Sequence, residues 1–333
     1  MYVVHSYPLA VVFCVITMLC WGSWANARKL ASPRWRFELF YWDYTLGVLL
    51  VTLLLGLTIG STGDQGRPFL ADLSQASAAS IRSALLGGAL FNLANILLVA
   101  AIEIAGMAVA FPVGIGLALL LGVIVNYIAA PVGNGWLLAL GVGMVTLAVL
   151  LDAAAYRRLS ASTAGVSARG LLLSVACGLL MGVFYRFVAA SMYDDPALPV
   201  VGKMGNYAAV FLFAVGVFAS SFIWNVIAMK KPLSGTPVGL ADYLRGSVRD
   251  HLIGILGGVI WAIGMSCNLI ASSRAGFAIS YGLGQGATMI AAFWGVFVWK
   301  EFRNAPPGTG RLLAAMFACF LGGLALIVVA RVP

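Results

Sequence analysis

Residues 86–116 read LGGALFNLANILLVAAIEIAGMAVAFPVGIG, and residues 256–286 read LGGVIWAIGMSCNLIASSRAGFAISYGLGQG. At this ungapped offset of 170 residues, nine of the 31 aligned positions are identical, and five of the nine are glycines. Membrane helices need small residues wherever two backbones approach closely. Retained glycines therefore indicate retained helix crossings. We predict that the chain consists of two halves of one repeat, with the working site between them.

Composition identifies the class of protein. The 333 residues are 62% hydrophobic and 9% charged, whereas a soluble domain carries about 25% charged residues. Mean hydropathy is +1.00, and apolar runs of about 20 residues, long enough for a helix to cross a bilayer, recur along the chain. The strands of a membrane β-barrel would alternate over about ten residues instead. We therefore predict an all-α polytopic protein of the lipid bilayer.

Ten membrane spans are predicted from the apolar runs. They cover residues 7–27, 39–60, 81–102, 105–128, 135–155, 169–191, 205–228, 251–272, 276–299 and 311–331. The repeat divides them into five spans at residues 1–157, a short linker at 158–168, and five spans at 169–333. Because five is odd, the second half must enter the membrane from the opposite side. The predicted architecture is a 5+5 inverted repeat.

Loop charges predict the orientation. Fourteen of the 20 Lys and Arg residues fall in the loops that join spans 1 to 2, 5 to 6, 7 to 8 and 9 to 10, whereas five fall on the opposite side. Short basic loops stay in the cytoplasm, so both termini are expected outside. The net charge of +9 thus serves orientation and gives no reason to expect a nucleic-acid partner.

Spans 4 and 9 carry helix-weakening residues at matching depth. Pro112, Gly114 and Gly116 lie in span 4, and three glycines, at positions 282, 284 and 286, lie in span 9. Proline removes a helical hydrogen bond and glycine lowers helix propensity. In a bilayer, such irregular backbone is tolerated where it faces protein or water. We expect local bends close to the substrate, although the glycines could equally serve packing alone.

Arg186 is the most informative polar residue, because it lies inside predicted span 6. A guanidinium in the membrane interior is costly unless it meets a partner or water. One interpretation is a cavity-lining donor to substrate carbonyl or carboxylate oxygens, with Tyr185 adding aromatic surface beside it. The alternative is that Arg186 snorkels to the outer headgroups.

Amide side chains are the next candidates for substrate binding. Asn92 and Asn95 are three residues apart in span 3, so they share a helix face, and Gln285 lies in span 9. An amide offers both a donor and an acceptor, which suits neutral polar ligands such as ureas, lactams and sugars. The alternative role of each amide is an interhelical hydrogen bond.

Aromatic residues accompany these groups in the sequence. Trp24 lies in span 1, Trp261 in span 8 and Tyr281 in span 9. Planar heterocycles stack well on such rings. We expect these three side chains to contact the substrate.

Acidic residues that could couple transport to an ion are few. Asp43 begins span 2 and Glu103 closes span 3. A coupled carrier needs an acid that titrates in an accessible cavity, so both are candidates for a proton site, or for sodium in its place. Asp43 could instead cap its helix or join an ion pair.

Other chemistry has little support in the sequence. His5 and His251 sit at span ends without a ligand cluster, and the five cysteines form no CxxC pair, so no metal or other cofactor is expected. No nucleotide-binding or acyl-transfer motif is present. We therefore do not expect an enzyme.

The first half of the sequence resembles the ureide permeases, a family of the drug/metabolite transporter superfamily known from plants and with bacterial relatives. The matching pieces are Met1-Tyr2, Gly22-Ser23-Trp24, Tyr41-Trp42-Asp43-Tyr44-Thr45-Leu46, Arg67-Pro68-Phe69, Leu73-Ser74-Gln75, Gly87-Gly88, Asn92, Asn95 and Asn126-Tyr127. The plant proteins carry a long loop between the halves with a phosphate-loop-like motif. Here the segment 157–169 is short and has none.

The resemblance implies uptake of a small molecule, namely allantoin, uracil or a related oxo-heterocycle, driven by protons across a bacterial inner (plasma) membrane. It also implies alternating access around a cavity lined by spans 1, 3, 4, 6, 8 and 9. Outward termini are shared with sugar-transporting cousins for rhamnose and glucose, so a sugar carrier is the alternative. A regulatory membrane protein without transport is a third possibility.

Overall fold

The computed structural model describes residues 1–63, 65–159, 167–232 and 235–331, and this part of the chain is helical and forms no strand. It contains ten helices long and apolar enough to cross a membrane. Spans 1 to 10 run Tyr7–Leu30, Phe37–Leu57, Ala78–Ala105, Phe111–Ala129, Gly135–Leu159, Ala168–Ala190, Asn206–Lys230, Val248–Ala275, Phe277–Val298 and Thr309–Val329. The number and order of the predicted spans are therefore confirmed.

Shorter elements end or connect some of the spans. Span 1 is α-helical over Tyr7–Ser23 and ends as a 3₁₀-helix, Trp24–Leu30. Two short helices lie between spans, Phe69–Gln75 and Leu240–Leu244. Most of the predicted linker, at residues 160–166, lies outside the described residues.

The duplicated stretch forms the same element twice. Spans 3 and 8 are both 28 residues long. Each begins at a serine N-cap, Ser77 or Ser247, whose side chain accepts from the backbone N–H three residues later. Each ends at a glycine in the left-handed region, Gly106 with φ 75° and Gly276 with φ 84°, where a side chain would be strained. The short connections then lead directly into spans 4 and 9.

Glycines allow two close helix crossings. Where span 8 crosses span 2, a Cβ at Gly258 would overlap the carbonyl oxygen of Tyr44, and one at Gly47 would overlap that of Ile255. Where span 3 crosses span 7, Gly88 faces the carbonyl of Phe213 in the same way, and Gly216 faces that of Leu85. Only glycine permits backbones to approach so closely.

The remaining contacts also occur in related pairs. Span 3 packs on span 6 and span 8 packs on span 1, while spans 5 and 10 pack on each other. These are the pairings that a twofold axis between the halves would relate. They agree with the inverted repeat, which stays a prediction about the evolutionary and membrane arrangement of the chain.

Spans 4 and 9 are irregular at the predicted depths. Span 4 contains the π-helical segment Phe111–Ile115, which includes Pro112. In span 9 the helix Phe277–Gly284 ends and a second one, Ala287–Phe293, begins after Gln285 and Gly286. Irregular helix of this kind is tolerated within a membrane where it faces protein or water.

Candidate substrate site

Spans 4 and 9 meet at one end of the bundle. We call the end that carries the loops joining spans 1 to 2, 7 to 8 and 9 to 10 the basic end, and the opposite one the far end. Toward the far end, Phe277–Gly284 of span 9 packs on Gly116–Ala129 of span 4, whereas toward the basic end Ala287–Phe293 packs on span 1.

Glycines mark open space beside span 4. Gly116 is buried, yet a Cβ there would meet none of the described atoms within 4 Å, and the same holds for a Cβ at Gly106 near the basic end. A buried glycine in a packed helix normally faces a neighbouring atom, so Gly116 marks loose packing among the described residues. It lies beside the irregular part of span 4.

Tyr281 closes the bundle toward the far end. Its hydroxyl donates to the carbonyl oxygens of Ala118 and Met181 at 3.1 and 3.0 Å. Its ring lies where any side chain at position 122 would sit, since a Cβ on Gly122 would overlap it. Tyr281 is fully buried and therefore ties span 9 to spans 4 and 6.

Tyr185 belongs to the same packed region. Its hydroxyl donates to Asn268 Oδ1 at 2.7 Å and lies 3.1 Å from Ser280 Oγ. Asn268 in turn donates to the carbonyl of Ser280 at 2.8 Å. Because Tyr185 is fully buried and hydrogen-bonded to protein, this structure shows it joining spans 6, 8 and 9.

Asn92 and Asn95 are linked by one tyrosine. The Tyr41 hydroxyl donates to Asn92 Oδ1 at 2.8 Å and accepts from Asn95 Nδ2 at 3.2 Å. Asn92 is fully buried, and its Nδ2 also meets the carbonyl of Val217 and the hydroxyls of Ser220 and Ser221 on span 7. Its amide is therefore occupied by the interhelical bonds that formed the alternative interpretation.

Asn95 retains an unused acceptor. Its Nδ2 is held by Tyr41, whereas its Oδ1 accepts no hydrogen bond from the described part of the chain. The Tyr41 hydroxyl has one proton, which it donates to Asn92, so it can only accept from Asn95. The carbonyl oxygen of Asn95 is thus the end of the network and can accept from a ligand.

Gln285 lies at the interruption of span 9. The preceding glycine, Gly284, is packed against the ring of Trp21 and the amide of Asn268. The Gln285 side chain is half-buried and makes no hydrogen bond to the described residues. A buried or half-buried amide normally finds a partner, so Gln285 is a second group able to bind a polar ligand.

Tryptophan rings line up between spans 1, 2 and 8. Trp261 is buried and stacks with Trp21, with ring centroids 5.8 Å apart and an interplanar angle of 12°. Trp24 packs on Tyr44 at 4.7 Å. Trp21 and Trp24 are only half-buried. They therefore retain accessible ring surface, whereas Trp261 supports them from behind.

Comparison with known proteins identifies the family of this bundle. The model of the family described as Ureide permease matches residues 40–169 and 157–330. The chain belongs to the ureide permease family. Members of this family are transporters, so the chain is a membrane transporter and not an enzyme.

Individual permeases are similar over their whole length. Ureide permease 4 of Arabidopsis thaliana is 23% identical and ureide permease 1 of the same plant is 22% identical, each aligned over 98% of both chains. Probable ureide permease A3 of Vigna unguiculata is 21% identical over 91% of this chain and 98% of its own. A crystal structure of a chain 20% identical in sequence shares the fold, with a TM-score of 0.62 over 98% of this chain and 100% of the other.

In this permease, Arg186 lies apart from the other predicted site residues. It follows Leu172 and Leu179 at seven-residue intervals on span 6, and these leucines are 69% and 47% exposed. Seven residues make nearly two helical turns, so the three side chains share one face. Arg186 makes no hydrogen bond or ion pair with the described residues. Its position favours snorkelling, and its binding of substrate stays a prediction.

The two predicted coupling acids differ in their surroundings. Glu103 is exposed in the last turn of span 3. Asp43 is 1% exposed and contacts His251 and Tyr243. The structure therefore brings a histidine and a tyrosine to Asp43 that the sequence did not associate with it.

Sequence reasoning missed Tyr41 and His251. Tyr41 belongs to the motif that carries the family resemblance, yet its role in positioning Asn95 depends on its side chain reaching from span 2 to span 3. His251 begins a stripe with Gly254 and Gly258 along span 8, and glycines at such spacing indicate a helix-contact face. That stripe was the available signal that His251 faces another span.

Proposed function

We propose that this permease imports ureides or related oxo-heterocycles such as allantoin and uracil by secondary active transport. The observation that carries the proposal is the match of the ureide permease family model to both halves of the chain. The relatives named above are ureide permeases, and this chain aligns with them along nearly their whole length. Their substrate class is therefore the first to test here.

The site residues suit such a substrate. A ureide or pyrimidine presents N–H donors and C=O acceptors on a flat ring. We assign Asn95 Oδ1 to accept from a ring N–H, and the Gln285 amide to bind an N–H and a C=O together. Trp24 would stack on the ring, with Trp261 supporting the aromatic wall. Tyr41 positions Asn95 and does not itself contact the substrate.

The transport cycle follows from the difference between the two ends. Tyr281 ties spans 4, 6 and 9 together toward the far end, whereas Gly106 at the basic end is exposed. We propose that the basic end is cytoplasmic, that both termini lie outside a bacterial inner membrane, and that this conformation is inward-facing. Rocking of the two halves would expose the site to the other side.

Uptake into proteoliposomes tests the proposal. Labelled allantoin and labelled uracil are supplied with and without an inward proton gradient, and unlabelled ureides, nucleobases and hexoses are added as competitors. We expect gradient-stimulated uptake that ureides or nucleobases block and hexoses do not. Sodium replaces the proton gradient in a parallel assay and should not drive uptake.

Two results would count against the proposal. Absence of uptake, together with thermal stabilisation by a hexose alone, would support a sugar carrier of the same fold. Uptake driven by a sodium gradient alone would leave the substrate assignment in place but would show that the proton is not the coupling ion.

A further inference from the structure

A buried carboxylate, an imidazole and a phenol meet at the basic end of spans 2 and 8. His251 Nδ1 lies 3.0 Å from both carboxylate oxygens of Asp43, and the Tyr243 hydroxyl donates to Asp43 Oδ1 at 2.6 Å. The Asp43 side chain is 2% exposed and that of His251 is 26% exposed. Of the pair, the imidazole is therefore the part that solvent reaches.

The contacts set the tautomer of His251. An ionised carboxylate can only accept, so Nδ1 carries a proton that it donates to Asp43. In the neutral imidazole this leaves Nε2 as the atom with a free electron pair. The carboxylate orients the ring and stabilises the imidazolium when Nε2 takes a proton. The arrangement is that of an orienting acid and a titrating histidine.

Gly246 packs closely against His251 Nε2 at the basic end. A Cβ at Gly246 would lie 2.7 Å from His251 Nε2 and would overlap the Trp35 ring. Gly246 and Trp35 also line a cavity of about 380 Å³ at the protein surface. His251 Nε2 thus contacts two residues that form the wall of this cavity. Trp35 packs edge-on against the imidazole, with centroids 4.9 Å apart.

Several charged groups near the pair have partners of their own, and Arg34, Asp242 and Arg245 line the adjoining cavity. Asp250 accepts from the backbone N–H of Ser32 at 2.8 Å and from the Ser247 hydroxyl at 2.7 Å. On span 2 itself, Arg36 pairs with Glu38 at 2.7 Å. Burial, followed by the hydrogen bond to Asp43, raises the pKa of Tyr243, so its phenol remains a donor at neutral pH. Of these groups, His251 combines contact with Asp43 and partial exposure to solvent.

We propose that His251 Nε2 carries the coupling proton of this permease and that Asp43 is its positioning residue. The inference rests on the proposed function in that it names the ion-carrying group of the same transporter. One proton binds to Nε2, converts the imidazole to an imidazolium paired with Asp43, and leaves from Nε2 to water in the cavity at the basic end. No other atom is transferred.

Span 2 joins this pair to the substrate site. Tyr41, which positions Asn95, and Tyr44, which packs on Trp24, are two residues before and one residue after Asp43. The close contact of Gly254 with the Asp43 side chain fixes span 2 to span 8 at the same depth. A change in the Asp43–His251 contact is thus transmitted to Asn95 through one turn of helix.

Transport in two modes tests the assignment. Wild-type protein and His251→Asn are reconstituted and assayed with labelled allantoin and uracil, at clamped zero membrane potential. Asn at position 251 still offers an N–H to Asp43 but cannot titrate. With an inward gradient of one pH unit, a one-proton symporter accumulates a neutral substrate about tenfold, because one unit equals about 1.4 kcal/mol. For the variant, we expect a ratio of internal to external substrate of about one. Its rate of counterflow at equal pH should stay within about twofold of the wild-type rate. The exposed His5 provides the matched control, and His5→Asn should accumulate normally.

A substrate-independent measurement keeps the assignment testable if no ureide is transported. The chain has two histidines, so ¹⁵N-histidine labelling of the His5→Asn variant leaves His251 as the only signal. We expect a neutral form protonated at Nδ1 that binds a second proton at Nε2 when the pH is lowered. A neutral form protonated at Nε2, or an Nε2 that does not titrate, would overturn the assignment.

The two experiments separate the possible failures. Normal accumulation by His251→Asn, or loss of counterflow together with accumulation in folded protein, would also overturn the assignment, because the residue would then be dispensable or purely structural. Absence of transport by the wild type would reject the proposed function, and the NMR titration would still decide the protonation site.

Discussion

Two helix crossings of this permease share a backbone arrangement and differ in their side chains. Gly258 on span 8 faces Tyr44 on span 2, and Gly88 on span 3 faces Phe213 on span 7. If Gly258 is matched with Gly88 and Tyr44 with Phe213, then His251 corresponds to Ile81 and Asp43 to Leu212. One crossing thus carries an acid and a histidine where the other carries two aliphatic residues.

The difference separates the demands of packing from those of function. The glycines recur because both crossings bring a carbonyl oxygen to the position of a Cβ. A buried acid costs free energy unless it is paired, so its presence in only one crossing is not explained by packing. Since the other crossing forms with aliphatic residues at the corresponding positions, we attribute the polar pair to transport.

The largest effect is expected from adding a methyl group at either crossing. Gly258→Ala and Gly88→Ala each place a Cβ on a carbonyl oxygen, and such overpacking costs about 1–3 kcal/mol. Both should lower the thermal unfolding temperature in detergent by similar amounts. Gly143→Ala is the control, because a Cβ there meets nothing within 4 Å of the described atoms. If only one of the two variants had a lower unfolding temperature, the two crossings would not be equivalent in packing.

The second prediction converts one crossing into the other. The double variant Asp43→Leu, His251→Ile should fold, because replacing a buried ion pair by apolar residues is often neutral or stabilising by about 1–4 kcal/mol. Its substrate accumulation on a gradient of one pH unit should fall from about tenfold to about one. Thermal stability and proteoliposome uptake measure the two effects. If the double variant still accumulated substrate about tenfold, the polar pair would not be needed for coupling.

The third prediction distinguishes two amides on the same helix face near the span 3 crossing. Asn92→Ala removes bonds to spans 2 and 7 and should lower stability, at about 0.6 kcal/mol per bond in membranes. Asn95→Ala should leave stability nearly unchanged and raise KM about three- to tenfold, the value of one neutral hydrogen bond. Unfolding temperature and uptake kinetics are measured for both. Equal effects on KM would assign both amides to the substrate.

The smallest effect is expected at Arg186, outside both crossings. Arg186→Gln should change kcat/KM for uptake by less than about twofold, because the side chain shares a helix face with exposed leucines. Gln285→Ala serves as the positive reference and should raise KM. A loss of more than about tenfold in Arg186→Gln would restore the predicted contact of this guanidinium with substrate.

The sequence alone determined the class, the number of spans and their order. Hydropathy is a sum over neighbouring residues, so an apolar run of sufficient length forms a membrane helix whatever it packs against. The irregular places in spans 4 and 9 were predictable for the same reason, since proline and glycine act on their own backbone. The glycines shared by residues 86–116 and 256–286 also indicated close crossings before any contact was known.

Only the tertiary structure decided which polar groups meet. Asp43 and His251 are 208 residues apart, and their contact depends on the rotation of two helices about their axes. Helices that are apolar on every face carry little signal for that rotation. The same freedom explains why the Asn92 amide is hydrogen-bonded to span 7, why Asn95 keeps a free acceptor, and why Arg186 points away from both. Each outcome depends on a neighbouring helix that comes from a distant part of the chain.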